Sequence, residues 1–289
     1  MTASDKMTLV LGGTGRTGSL LAQKLAKRAV AVRTAARHGT DVTFDWDEPS
    51  THAPALQGVD RMYLVTPVGR IRFAPQVSGL LDLAERAGVR HVTYLSTYGS
   101  ERMPPEIDIR AVELELSRRT AFTHSIVRPA WVMQNFADAH LPLINDTITV
   151  PSGGGREAFV DADDIAAIAL ETLIDPDAHA GAIYAPTGPQ ALTFSEVART
   201  ISDVIGRPII YNDIDQNVWI DGAIVAGFVP AEYGVMLRWL TGSVIAGNSA
   251  RPNGDIERVS GRPARRFEHF VRRNAAAWAP ASPKVPIAT

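Results

Sequence analysis

Apolar and polar positions alternate along the first half of the chain with two periods. Short apolar runs mark strands at Thr8–Leu11, Val30–Ala35, Val42–Phe44, Met62–Val65, Val92–Leu95 and His124–Val127, the last stopped by Pro129. Between them the apolar residues recur at helical spacing. Leu20, Leu21 and Leu25 share a face with Lys24 and Arg28 on the polar side. Ile71, Val77, Leu80, Leu81 and Ala84 predict an amphipathic helix over 71–87, ended by Gly88. Ile109, Val112, Leu114 and Leu116 predict another over 106–118. Strands and helices in this alternation predict an α/β fold, a parallel sheet wound on both faces.

After about residue 145 the pattern loosens. Pro151–Gly155 reads as a loop, and 161–174 as a helix opened by acids, which suit its positive end. Asp161, Asp163 and Asp164 are expected to cap it. Ile183–Ala185 is a short strand. Thr193 and Glu196 have capping-box spacing. Residues 215–245 are apolar and aromatic, and the Ala- and Pro-rich tail 275–289 is expected to fray.

The strand at Thr8–Leu11 runs into GGTGRTG, residues 12–18. Gly13, Gly15 and Gly18 give G-x-G-x-x-G, and Gly12, Gly15 and Gly18 a second register. A strand before and a helix after are the context in which such glycines let backbone N–H groups approach a pyrophosphate. The plainer reading is a tight turn. The binding reading makes the fold Rossmann-like, with a dinucleotide domain over 1–150. A smaller, mixed substrate region follows over 151–289, of which about 156–190 returns to the first sheet.

An NAD site carries an acid about 20 residues on, at the ribose. No Asp or Glu stands between residues 19 and 40; Arg33 and Arg37 do. A guanidinium just past strand two suits the extra phosphate of NADP, so NADPH is favoured over NADH. The alternative is a solvated arginine.

Composition narrows the rest. The chain has 289 residues, 45% hydrophobic and 21% charged, and a net charge of −2. That balance calls for no nucleic acid and no anionic membrane surface. No apolar run reaches the ~18–20 residues of a membrane helix. The absence of cysteine excludes disulfides and thiol chemistry, and the seven histidines show no metal-ligand spacing. With the polar start MTASDK, a cytoplasmic location is expected. The arginines at 262, 265, 266, 272 and 273 read as the solvated face of a C-terminal helix.

GGTGRTG, VRTAAR at 32–37, FDW at 44–46, YLST at 94–97, IVRPAWVMQNF at 126–136, FVDADDIA at 159–166 and PTGPQALTFSEVA at 186–198 together resemble the NmrA-like family of atypical short-chain dehydrogenases. The FDW segment and the length look most like its festuclavine synthase branch, which reduces iminium intermediates with NADPH. The same wider family holds quinone reductases and redox-sensing regulators. The resemblance implies that Gly12, Gly13, Thr14, Gly15, Arg16, Thr17 and Gly18 cradle the pyrophosphate. It implies that Arg37 faces the ribose phosphate, and that Asp45 and Trp46 line the adenine. Trp46 as a core tryptophan is the alternative. Thr66, Pro67, Ser96, Thr97, Pro129, Ala130 and Trp131 would border the ribose and nicotinamide.

Standard members of the larger dehydrogenase class use Tyr-x-x-x-Lys, and no tyrosine here has a lysine four residues on. The helix that would carry the pair holds Arg110 instead. The remaining proton-handling groups are Tyr98, Ser96 and Asp164, each with a structural alternative. A substrate that is already electrophilic, such as an imine or iminium, needs a placed hydride and a dry pocket. A quinone is the next class, and a non-catalytic dinucleotide sensor the rival. Trp131, Met133, Phe136, Trp219, Phe228, Tyr233, Met236 and Trp239 are the expected pocket for a small apolar, cyclic substrate. Plain core or a homodimer surface is the alternative for each.

Overall fold

A computed structural model describes residues 7–67, 69–138, 140, 141 and 143–279. Seven strands form one parallel sheet. In chain order they are β1 (Met7–Leu11), β2 (Val32–Ala36), β3 (Val42–Thr43), β4 (Val59–Leu64), β5 (His91–Leu95), β6 (Thr123–Val127) and β8 (Ile183–Tyr184). Their order across the sheet is β3-β2-β1-β4-β5-β6-β8. The chain starts in the middle and winds outward both ways, which leaves a crevice at the carboxyl ends of β1 and β4.

Period-two alternation explains the two covered faces. Leu9, Leu11, Met62, Leu64 and Val92 turn to one side. There they meet α2 (His52–Leu56), α3 (Ala74–Ala87) and α4 (Asp108–Arg118). Val10 and Tyr63 turn to the other and meet α1 (Arg16–Lys27) and α5 (Ala162–Ile174). Each of these strand residues is fully buried. Both faces therefore carry apolar side chains, as a sheet covered on both sides requires.

β8 joins the sheet beside β6. The rest of the second half has its own core. β7 (Thr147–Thr149) pairs in parallel with β9 (Ile210–Asn212), a two-stranded ribbon that sequence periodicity does not signal. α6 (Phe194–Ile205) starts in a complete capping box of Thr193 and Glu196. α7 (Gln216–Val225), α8 (Gly234–Ile245), α9 (Asp255–Ser260) and α10 (Phe267–Arg273) follow. Trp278 is buried and donates its indole N–H to the Phe136 carbonyl at 2.9 Å, so the tail is ordered at least to there. The remainder of the expected frayed tail, and residues 1–6, lie outside the described residues. Among the described residues no helix is long and apolar enough to cross a membrane.

The acids at α5 divide their work. Asp161 caps the helix by accepting from Asp163 N at 3.0 Å. Asp163 pairs with Lys24 of α1 at 2.7 Å. Asp164, almost fully buried, is held by Arg265, and Arg273 reaches Asp161 at 2.7 Å. Two of the five late arginines are therefore ties to α5 and not a solvated face. Arg262, Arg265 and Arg266 precede α10.

Candidate active site

The glycine cluster forms the turn from β1 into α1. Gly12 has φ of +65°, a region costly for any side chain, and a Cβ there would lie 2.9 Å from Val65 Cγ2. A Cβ at Gly18 would sit 2.2 Å from the Gly12 carbonyl oxygen, so the first turn of α1 can press against the loop only without one. Gly13 serves the sheet: its N–H donates to the Ala35 carbonyl at 3.1 Å, and a Cβ would collide with Thr34. Gly15 is the N-cap of α1. No side chain caps this helix, and its first turn has no acid. Its positive end is thus left for an outside anion. Close backbone approach and an uncapped helix end fit a dinucleotide pyrophosphate.

Gly12, Gly15, Arg16 and Thr17 open onto a cavity of about 1240 Å³. Thr66 and Pro67 after β4, Ser96, Thr97 and Tyr98 after β5, and Pro129 and Trp131 after β6 line the same space. Arg37, Asp45 and Trp46 do not; they follow β2 and β3 at the same edge of the sheet. Arg37 is exposed. Arg33 is spent structurally, donating to the carbonyls of Ala55 and Gln57 at 3.1 and 2.6 Å. Trp46 is half-buried and packs edge-on to Phe44 at 5.0 Å. Arg70 chiefly holds the neighbouring Asp47 carboxyl below its usual range, with Arg37 contributing.

The hydroxyl of Ser96 is already engaged. It donates to Glu113 on α4 at 2.6 Å. The buried Glu113 also takes Ser100 at 2.6 Å, Arg128 through two bonds at 2.8 Å and Arg110 at 2.8 Å. Burial pushes the Glu113 carboxyl up, but these donors outweigh it and hold it below the ordinary value. Tyr98 is half-buried on the wall, and burial raises its phenol.

The aromatic wall comes from both halves of the chain. Trp131, Trp219, Phe228, Tyr233, Met236 and Trp239 line the cavity, the last five from α7, α8 and the turn between them. Trp219 donates its indole N–H to the Thr149 carbonyl at 2.9 Å, which ties α7 to β7. Gln216 donates to the Thr241 hydroxyl at 2.7 Å, which ties α7 to α8. Phe136 and Met133 are not on the wall. Phe136 is buried among Phe159, Phe194 and Phe267, with ring centres 5.1–5.7 Å away, and belongs to the core of the second half.

Two features of the site escaped the sequence. Arg16 of the glycine loop reaches Asn135 at 2.7 Å, Asp138 and His140, joining the loop to the segment after β6. Glu157 lies on the cavity wall although only 1% exposed. It accepts the Trp131 N–H at 3.1 Å, and its backbone exchanges two hydrogen bonds with Leu192 at 2.9 Å. Burial pushes its carboxyl up to about 7, against hydrogen bonds from Ser249 and Trp131. Its sole local signal is one acid in the otherwise apolar stretch 157–160.

A model of the NmrA-like family matches residues 4–241. The NAD(P)H azoreductase of Xenophilus azovorans is 31% identical, over 94% of this chain and 99% of its own length. Festuclavine synthase II of Penicillium roqueforti is 27% identical, over 94% and 99%. Among solved structures, the Citrobacter sp. triphenylmethane reductase complexed with NADP(H) superposes with a TM-score of 0.76 at 20% identity, covering 93% of this chain and 100% of that one.

Proposed function

Because the chain belongs to the NmrA-like family, we propose that its cavity is the active site of an NADPH-dependent reductase acting on an activated double bond, foremost an imine or iminium. The coarser statement, an NAD(P)H-dependent oxidoreductase, draws on the NAD(P)H azoreductase and on the triphenylmethane reductase complexed with NADP(H). One observation carries the finer reading: a large aromatic cavity that runs from the glycine loop across the ends of β4, β5 and β6.

The residues take these roles. Gly12, Gly13, Thr14, Gly15, Arg16, Thr17 and Gly18 form the pyrophosphate cradle. Arg37 takes the ribose phosphate, and Asp45 and Trp46 the adenine. Thr66, Pro67, Ser96, Thr97 and Pro129 border the nicotinamide end. The bound cofactor supplies a hydride. Trp131 and the α7–α8 aromatics exclude water and stack on a flat substrate. Ser96 orients through its bond to Glu113, and Tyr98 stands on the wall beside it. The azoreductase is named for nitrogen–nitrogen double bonds, and an imine differs from these by one carbon.

The test is NADPH oxidation over a panel of cyclic imines, N-alkyl iminium salts and quinones. Turnover of the imines with the highest kcat/KM supports the reading. Turnover of quinones alone makes the protein a quinone reductase. No turnover, with equal affinity for oxidised and reduced cofactor, makes it a sensor.

A further inference from the structure

Glu157 stands out among the acids because it is buried on the cavity wall with no charged partner. The other deeply buried carboxylates, Asp108, Glu113, Asp161 and Asp164, each face an arginine. Glu157 makes no ion pair among the described residues. Its neighbours are the Trp131 N–H and the Ser249 hydroxyl, both on the cavity wall. Arg156, next in the chain, points elsewhere and pairs with Glu196 at 3.0 Å. Tyr98 lines the same cavity, and the Glu157 charge adds to the upward push on its phenol. An unpaired buried carboxyl costs stability unless it is neutral or meets a cation. The packing requires an acceptor here for the Trp131 N–H but not a charge: a neutral amide would meet that bond, and the backbone bonds to Leu192 would form with any residue.

We propose that Glu157 is a catalytic residue that gives the active site its preference for nitrogen: it protonates a neutral imine and pairs with the resulting iminium. This rests on the reductase reading above. The carboxyl O–H bond breaks and an N–H bond forms, leaving a carboxylate beside the iminium. The hydride supplied by NADPH goes to the imine carbon, its electron pair becoming the new C–H bond, while the C=N π pair moves to nitrogen. The product is an amine and NADP, and the carboxylate regains its proton from water. The segment holding it is well placed, for Trp131 lies two residues past Pro129 at the end of β6. The indoles of Trp131, Trp219 and Trp239, which line the same cavity, favour a cation over their faces. A carboxyl poised near neutrality can serve both as acid and as counter-ion.

Two substrate types separate these roles. A neutral cyclic imine needs the acid form, so its kcat/KM falls as pH rises through about 7. A permanently charged N-methyl iminium needs the carboxylate, so its kcat/KM rises through the same range. Glu157→Gln keeps the shape and the bond from Trp131. It should lower kcat for the neutral imine about 10²-fold, the usual worth of a general acid, and raise KM for the charged one. Both pH limbs should vanish, with NADPH affinity kept. Ser249→Ala removes a bond that favours the anion, so both limbs should move to higher pH. A binding readout needs no turnover: a saturated cyclic quaternary ammonium should bind native protein more tightly above pH 7 than below, and Glu157→Gln weakly at either. Native turnover of imines with unchanged rates and pH limbs in Glu157→Gln overturns this inference alone. No imine turnover by the native protein overturns the reductase reading, and this inference with it.

Discussion

Ser96 at the end of β5 gives its hydroxyl proton to Glu113 of α4, 2.6 Å away. The same carboxylate holds Arg128, which is 8% exposed. This cluster ties the residue after β5 to α4 and to the end of β6. A serine whose proton is committed in this way is poorly placed to donate it elsewhere.

Ser96→Ala should therefore cost about 1 kcal/mol of stability, one hydrogen bond, and change kcat less than about tenfold. A thousandfold fall in kcat with an intact fold would make Ser96 a proton donor. Glu113→Gln leaves Arg128 with Glu101 as its remaining charge partner, 3.0 Å away, and should cost about 3 kcal/mol, the low end for breaking a buried pair, read by urea unfolding. The folded carboxyl titrates below the ordinary value of 4.5, so its contribution is full above that pH. It is lost as pH falls through the lower folded value.

Glu157 has the opposite sign. Its folded value near 7 lies above the 4.5 of the free side chain, so the fold favours the protonated form. Stability should fall by about 3 kcal/mol as pH rises from 4.5 to 7 and level off above. Glu157→Gln should remove this slope and melt higher than native protein at pH 8. Equal melting temperatures at pH 8 would count against a buried, unpaired carboxyl.

At the glycine loop, Gly18→Ala puts a methyl 2.2 Å from the Gly12 carbonyl. The loop must open, and NADPH binding should weaken at least about tenfold, or 1.4 kcal/mol. Fluorescence titration measures this, and native-like affinity would mean that the loop does not seat the phosphates.

Arg37→Ala should weaken NADPH about tenfold to a hundredfold, the range for a hydrogen bond to a charged group, and leave NADH unchanged. Unchanged affinity for both cofactors would remove the arginine from the site.

What the sequence determined was local. Period-two runs and helical spacing place the seven strands of the sheet and α1, α3, α4 and α5 to within a few residues, because each side chain there meets a face that its neighbours two or four positions away also meet; α2, five residues long, is too short to show a period. The Thr193–Glu196 box is legible for the same reason: its contacts close within a turn. The glycine turn is legible from its residue types, although Gly12 and Gly13 also press against Val65 and Thr34. The tertiary structure decided what depends on distant partners. It sent Phe136 into the aromatic core and left Trp131 on the cavity wall, though both lie in one short segment. It tied Arg265 to Asp164 and Arg273 to Asp161 across more than 100 residues. It gave Glu113 four donors and Glu157 no cation. A carboxyl's burial and charge partners arise only when separate parts of the chain converge, so two glutamates that read alike in sequence differ in proton affinity once folded.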